Sequence, residues 1–148
     1  MHDWFRCTDW NELSEAEFFR RLKRARHQKP QYLVIQARTL VDSRRSELAA
    51  PALSLIELFL HDHYDPFFAS GAFRTKAEAL MMLERWEEVF QAFEDSLAAR
   101  RAGPGVIDDT WLKYPLTIAQ RRARDRYQRL VGMTYADLQV ELEQLVID

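Results

Sequence analysis

The sequence predicts an all-α protein: a single-domain helical bundle of about five to six helices, one of them long and amphipathic. Three observations lead there. Apolar residues recur at helical spacing through most of the chain. Proline and glycine are scarce, at 5 and 4 in 148 residues, which disfavours a turn-dense β architecture. The 47% hydrophobic and 30% charged residues are those of one ordinary globular domain, long enough to bury about 70% of the surface its unfolded form exposes.

Ser14, followed by Glu15 and Glu17, marks the first helix start, because a serine hydroxyl can take an orphan backbone N–H and acids suit the positive dipole end. The helix is expected to reach about His27. Phe18, Leu22 and Ala25 share its buried face, while Arg20, Arg21, Lys23, Arg24 and Arg26 occupy the rest. Pro30 marks a break. The β-branched run around Val34 and Ile35 could begin a strand, but a lone strand has no partner, and Leu33, Ala37, Leu40 and Val41 keep helical spacing. Pro51 suits the first turn of a third helix, in which Leu53, Leu55, Ile56, Leu58, Phe59 and Leu60 are nearly uninterrupted; this is the expected central core helix. It should stop before Pro66, with Phe67, Phe68, Gly71 and Phe73 forming an aromatic connection.

Thr75 with Glu78 makes a capping-box start, and no Gly, Pro or Asn recurs until Gly103. Leu80, Leu83, Phe90, Phe93 and Leu97 keep one face apolar, so the expected long helix covers residues 75–100, about 39 Å at about 1.5 Å per residue. Residues 103–110 read as a loop, a further helix runs from near Pro115 to Gly132, and Thr134 and Asp137 open a last one carrying Tyr135, Leu138, Leu142 and Leu145. Within this region the stretch KAEALMMLERWEEVFQAFEDSLAAR, residues 76–100, resembles a single tetratricopeptide repeat through Leu80, Leu83, Trp86, Phe93, Ser96, Leu97 and the small Ala77. That resemblance implies two antiparallel helices meeting at a tight turn, with Glu84 where the family usually has glycine. A turn without glycine lacks its usual left-handed residue, so one continuous helix stands ahead of the hairpin.

The lone Cys7 excludes an internal disulfide and a four-cysteine zinc site. No basic-then-apolar leader opens the chain, and no apolar stretch approaches the roughly 20 residues of a membrane span; the expectation is a cytoplasmic protein without a membrane partner. Phosphate-cradling glycine motifs and the G-x-S-x-G elbow are missing, which disfavours the common cofactor-dependent enzymes, and no cofactor is expected.

Three groups remain as candidate sites. His61, His63 and Asp65 are the densest potential metal ligands, able to converge only if the helix ends before Pro66; the competing reading is histidine complementing a helix C-terminus. Arg121, Arg122, Arg126 and Arg129 crowd a short stretch, with Arg122, Arg126 and Arg129 at i, i+4 and i+7, suited to tracking phosphates of a nucleic acid. Trp4, Phe5 and Trp10 concentrate aromatics near the N-terminus, either as core or, if exposed, as a partner-binding surface. Charge is uneven: residues 1–45 carry ten basic and six acidic groups, net +4, and residues 46–100 carry four and ten, net −6, so these segments could meet within one chain or between subunits. The resulting expectation is a non-enzymatic protein-binding adaptor or regulatory subunit that pairs with itself as a homodimer. A nucleic-acid-binding accessory protein is the alternative, and a metal-dependent enzyme the second alternative.

Overall fold

A computed structural model describes residues 3–102 and 110–132. Among them are seven α-helices and no strand: α1 (Glu12–Arg24), α2 (Lys29–Asp42), α3 (Ala49–Asp62), α4 (Pro66–Met82), α5 (Trp86–Ala102), α6 (Thr110–Arg121) and α7 (Arg124–Gly132), with a 3-10 turn at Ser46–Leu48 before α3. The expected loop at 103–110, except Thr110, and the last helix after Thr134 lie outside the described residues. Packing divides the chain, which composition groups as one domain over residues 1–148, into two compact units, Met1–Asp108 and Asp109–Asp148.

In the first unit α2 packs on α3, α3 and α2 on α4, and α5 lies along α4. The core joins Phe18 and Leu22 of α1, Leu33, Ala37, Leu40 and Val41 of α2, Leu55, Ile56 and Phe59 of α3, and Ala72 and Ala79 of α4. The central role expected for the third helix holds: Ala49, Ala52, Leu55, Ile56 and Phe59 are buried, and Pro51 sits in the first turn. The second helix also forms as a helix, with Pro30 opening it: a first-turn proline lacks only an N–H that would have no intrahelical partner.

Helix boundaries move for identifiable reasons. Asn11, not Ser14, caps α1; its carboxamide accepts from Leu13 N–H at 2.9 Å and Ser14 N–H at 3.0 Å, and Ser14 Oγ accepts the Asn11 N–H at 2.7 Å. The serine is thus the returning half of a capping box. At the other end Ala25, with ψ 130°, leaves helical geometry and ends the helix before His27. The expected aromatic connection after Pro66 is helical: Asp65 accepts the Phe67 N–H at 3.0 Å and Pro66 sets the first turn, so α4 starts there and Thr75 is buried in mid-helix.

The single long helix expected over residues 75–100 is not formed. The chain turns at residues 83–85 into the hairpin α4–α5, and Glu84, at φ 56°, supplies the left-handed residue itself. Arg85 N–H donates to Leu80 O and Glu84 N–H to Met81 O, both at 3.0 Å, the paired bonds of a Schellman cap. Small buried residues, Ala69, Ser70, Ala72 and Ala77 on α4 and Ala92 and Ser96 on α5, suit close approach. The Ser96 hydroxyl donates to Ser70 O at 2.9 Å, and the Ser70 hydroxyl lies 3.2 Å from Ser96 Oγ. These tertiary contacts outweigh a left-handed non-glycine cost of roughly 1–2 kcal/mol.

In the second unit α6 packs on α7. The helix expected from Pro115 to Gly132 is two helices: Pro115 lies inside α6, and Arg122, at φ 51°, ends it. Arg122 N–H donates to Ala119 O at 3.2 Å and Ala123 N–H to Ile118 O at 3.1 Å, the same cap as at Glu84.

Candidate interaction surfaces

Residues 3–10 form a non-helical strap laid on α1 and α2. Its aromatics are half-buried and packed inward. Phe5 stacks on Tyr32 with ring centroids 4.5 Å apart, Trp4 meets Tyr32 at 4.8 Å and Phe18 at 5.5 Å, and Trp10 meets Phe18 at 5.6 Å. Such pairs add about 0.5–1.5 kcal/mol each beyond area burial. Trp4, Phe5 and Trp10 therefore contribute to the protein's own core rather than forming an open aromatic surface.

The strap backbone is held by Gln36, a fully buried α2 residue. Cys7 N–H donates to Gln36 Oε1 at 2.8 Å, and Gln36 Nε2 donates to Cys7 O at 2.7 Å. One carboxamide thus satisfies both polar backbone atoms of one residue, which also fixes the amide's orientation. Sequence reasoning missed Gln36, although a signal was there. It falls on the same face as Leu33, Ala37, Leu40 and Val41, and a polar residue on a buried stripe requires a hydrogen-bonding partner.

Charged groups organise the outside of the first unit. Glu17 accepts from Arg20 Nη2 and Arg21 Nε, both at 2.7 Å, and these two guanidinium groups lower its carboxyl to about 2. The Glu88 carboxyl is lowered chiefly by its hydrogen bonds from Arg85, and that of Glu47 by its own backbone N–H and by Arg45. Between helices, Arg38 of α2 pairs with Glu78 of α4, and Lys76 of α4 with Glu57 of α3 at 3.0 Å. The Arg38–Glu78 pair joins the basic and acidic segments within one chain.

The metal-ligand expectation meets a different geometry. His61 lies exposed in the last turn of α3, His63 is its C-cap, and Asp65 spends its carboxylate as the N-cap of α4. Two helix ends meeting at a corner account for all three, and among the described residues no three His, Cys, Asp or Glu side chains are grouped to hold a metal ion.

Arg121, Arg122, Arg126 and Arg129 do not form one phosphate-tracking face. Arg121 ends α6, Arg122 is the left-handed turn residue, Arg126 is buried and Arg129 is exposed on α7. The i, i+4, i+7 relation fails because the Schellman cap at Arg122 breaks the helix it assumed. The described helices of this unit instead expose apolar pairs one turn apart: Leu112 (70%) and Leu116 (53%) on α6, Tyr127 (59%) and Val131 (63%) on α7. Among the described residues no helix is long and apolar enough to cross a membrane.

Compared with known proteins, the chain matches no family model, no curated protein and no solved structure.

Proposed function

We propose that this chain is a non-enzymatic protein-binding adaptor or regulatory subunit that associates with itself as a homodimer. The observation that carries this reading is the set of apolar pairs in the second unit, Leu112 with Leu116 and Tyr127 with Val131, each side chain more than half exposed. Residues at i and i+4 stand side by side on a helix, so each pair forms a short apolar stripe, the pattern by which helices anchor in a partner's groove. Removing such surface from water contributes about 25 cal/mol per Å² toward association, against the cost of lost translational, rotational and side-chain freedom. Scattered single exposed hydrophobics need no explanation, and it is the pairing of Leu112 with Leu116 and of Tyr127 with Val131 that supports this reading.

Light scattering on the full chain at tens of micromolar tests this. The wild type is expected at twice 17.5 kDa. Replacing Leu112 and Leu116 together by Asp should return it to the monomer mass with an unchanged helical circular dichroism signal, because exposed substitutions cost the fold only about 0.5 kcal/mol or less each. A wild-type chain that stays at 17.5 kDa at every concentration overturns the reading.

A further inference from the structure

Several exposed cations of the first unit have an acid close by in sequence: Arg6 pairs with Asp3, Arg45 with Glu47 and Arg85 with Glu88. The segment across the α1–α2 turn departs from this. From Phe18 to Val41 the sequence holds seven Lys and Arg and no Asp or Glu. Glu17 takes Arg20 and Arg21, and Glu78 takes Arg38. Lys23, Arg24 and Arg26, all exposed, and the half-buried Lys29 make no ion pair among the described residues. Lys23 and Arg24 suit the negative end of α1. Lys29, in contrast, is the first residue of α2, at the positive end of its dipole, where Gln28 gives no side-chain cap and the first turn holds no acid. A cation there weakens the helix, and Arg26, three residues earlier, adds like charge, so fold stability does not account for the cluster.

Exposed aromatics share this end of the first unit. Short connections join α2 to α3 and α3 to α4, and each reverses the chain, so α2 and α4 run parallel. The Arg38–Glu78 pair fixes their register. Arg38 lies about 14 Å from the start of α2 and Glu78 about 18 Å from the start of α4, so the two starts are level to within about one helical turn. Tyr64 and Phe67, at the start of α4, are 52% and 45% exposed. Packed helix axes lie about 8–10 Å apart, which brings rings and cations within reach of one short strand. Asp65 spends its carboxylate on the Phe67 N–H, leaving Asp62 as the exposed acid of this corner.

We infer that this end of the first unit binds single-stranded nucleic acid, with Lys23, Arg24, Arg26 and Lys29 neutralising backbone phosphates and Tyr64 and Phe67 stacking on bases. The strand is single because a base must be unstacked to lie on a side-chain ring, whereas an acidic peptide would use the cations alone. The site is independent of the self-association proposed above and uses no arginine of α6 or α7.

The test is fluorescence anisotropy of the full chain with a fluorescein-labelled oligouridine about 20 nucleotides long. Neutralising four phosphates of a single strand gives the logarithm of the association constant a slope of about −3 against the logarithm of salt, so affinity should fall about fiftyfold between about 50 and 200 mM salt. Arg26→Gln with Lys29→Gln should halve that slope and weaken binding at least about tenfold at the lower salt, with an unchanged or higher Tm. Folded Tyr64→Ala and Phe67→Ala chains should each bind at least about fivefold more weakly with the slope unchanged. Arg44→Gln, at the far end of α2, should change neither affinity nor slope. Oligouridine that does not bind at the lower salt overturns the site, as does wild-type affinity in the Arg26→Gln, Lys29→Gln chain or an equal loss in Arg44→Gln. Ring variants that bind as wild type, or equal affinity for a duplex of the same length, for polyglutamate or for phosphatidylserine vesicles, leave polyanion attraction only and overturn the single-strand assignment.

Discussion

In the strap the backbone forms no helix, yet Trp4, Phe5 and Trp10 pack against α1 and α2, and Gln36 satisfies both backbone polar atoms of Cys7. In α6 and α7 the backbone is regular, yet Leu112, Leu116, Tyr127 and Val131 face water. The difference teaches that burial here follows side-chain partners rather than secondary structure. An irregular segment joins a core when something satisfies its peptide groups, and a helix satisfies its own interior peptide groups whether or not its apolar face is covered.

The largest way to break that comparison is Phe18→Ala. Phe18 touches both Trp4 and Trp10 and is fully buried, so its loss should destabilise the first unit by about 3–5 kcal/mol, read from urea denaturation, and should raise the exposure of both tryptophans to a fluorescence quencher. Gln36→Leu comes next. It removes two hydrogen bonds and leaves part-buried peptide groups of Cys7 unsatisfied, for an expected loss of about 1–3 kcal/mol in the same titration. Gln36→Glu should be at least as damaging, since a carboxylate cannot donate to Cys7 O.

How much of this was legible in the sequence follows from which residues did the work. The all-α class and the central helix were readable because Leu55, Ile56 and Phe59 carry their burial in a local apolar pattern. The hairpin at residues 83–85 was readable only as the alternative that the repeat resemblance implied, and the break at Arg122 not at all, because Glu84 and Arg122 occupy positions for which glycine is the usual signal; in the hairpin, tertiary contacts such as Ser70 with Ser96 favour the turn over a continuing helix. The aromatic strap was legible as composition, but its attachment was not, since the Gln36–Cys7 pairing spans 29 positions. The exposed stripes of α6 and α7 depend on where that helix breaks, so the arginine pattern concealed them.

Smaller changes sharpen the contrast between local rule and tertiary demand. Gly71 lies inside α4, and a methyl group added there meets nothing within 4 Å. Gly71→Ala should therefore stabilise the protein by about 0.5–1 kcal/mol, visible as a higher Tm. The least effect concerns the outer face of α1. Glu17, lowered to about 2 by Arg20 and Arg21 from an ordinary 4.5, contributes stability that is present above pH 4.5 and lost as pH falls toward 2. The Tm difference between wild type and Glu17→Gln should close across that interval, and it should shrink with added salt at neutral pH because the ion pairs are exposed.

Hydrogen exchange at the backbone amide of Cys7 tests most directly whether the strap belongs to the core. With its N–H held by buried Gln36, that amide should exchange at least about a hundredfold more slowly than an unstructured peptide in the wild type, and should approach the unstructured rate in Gln36→Leu while the amides of α3 stay protected. A wild-type Cys7 amide exchanging at the unstructured rate would contradict the account.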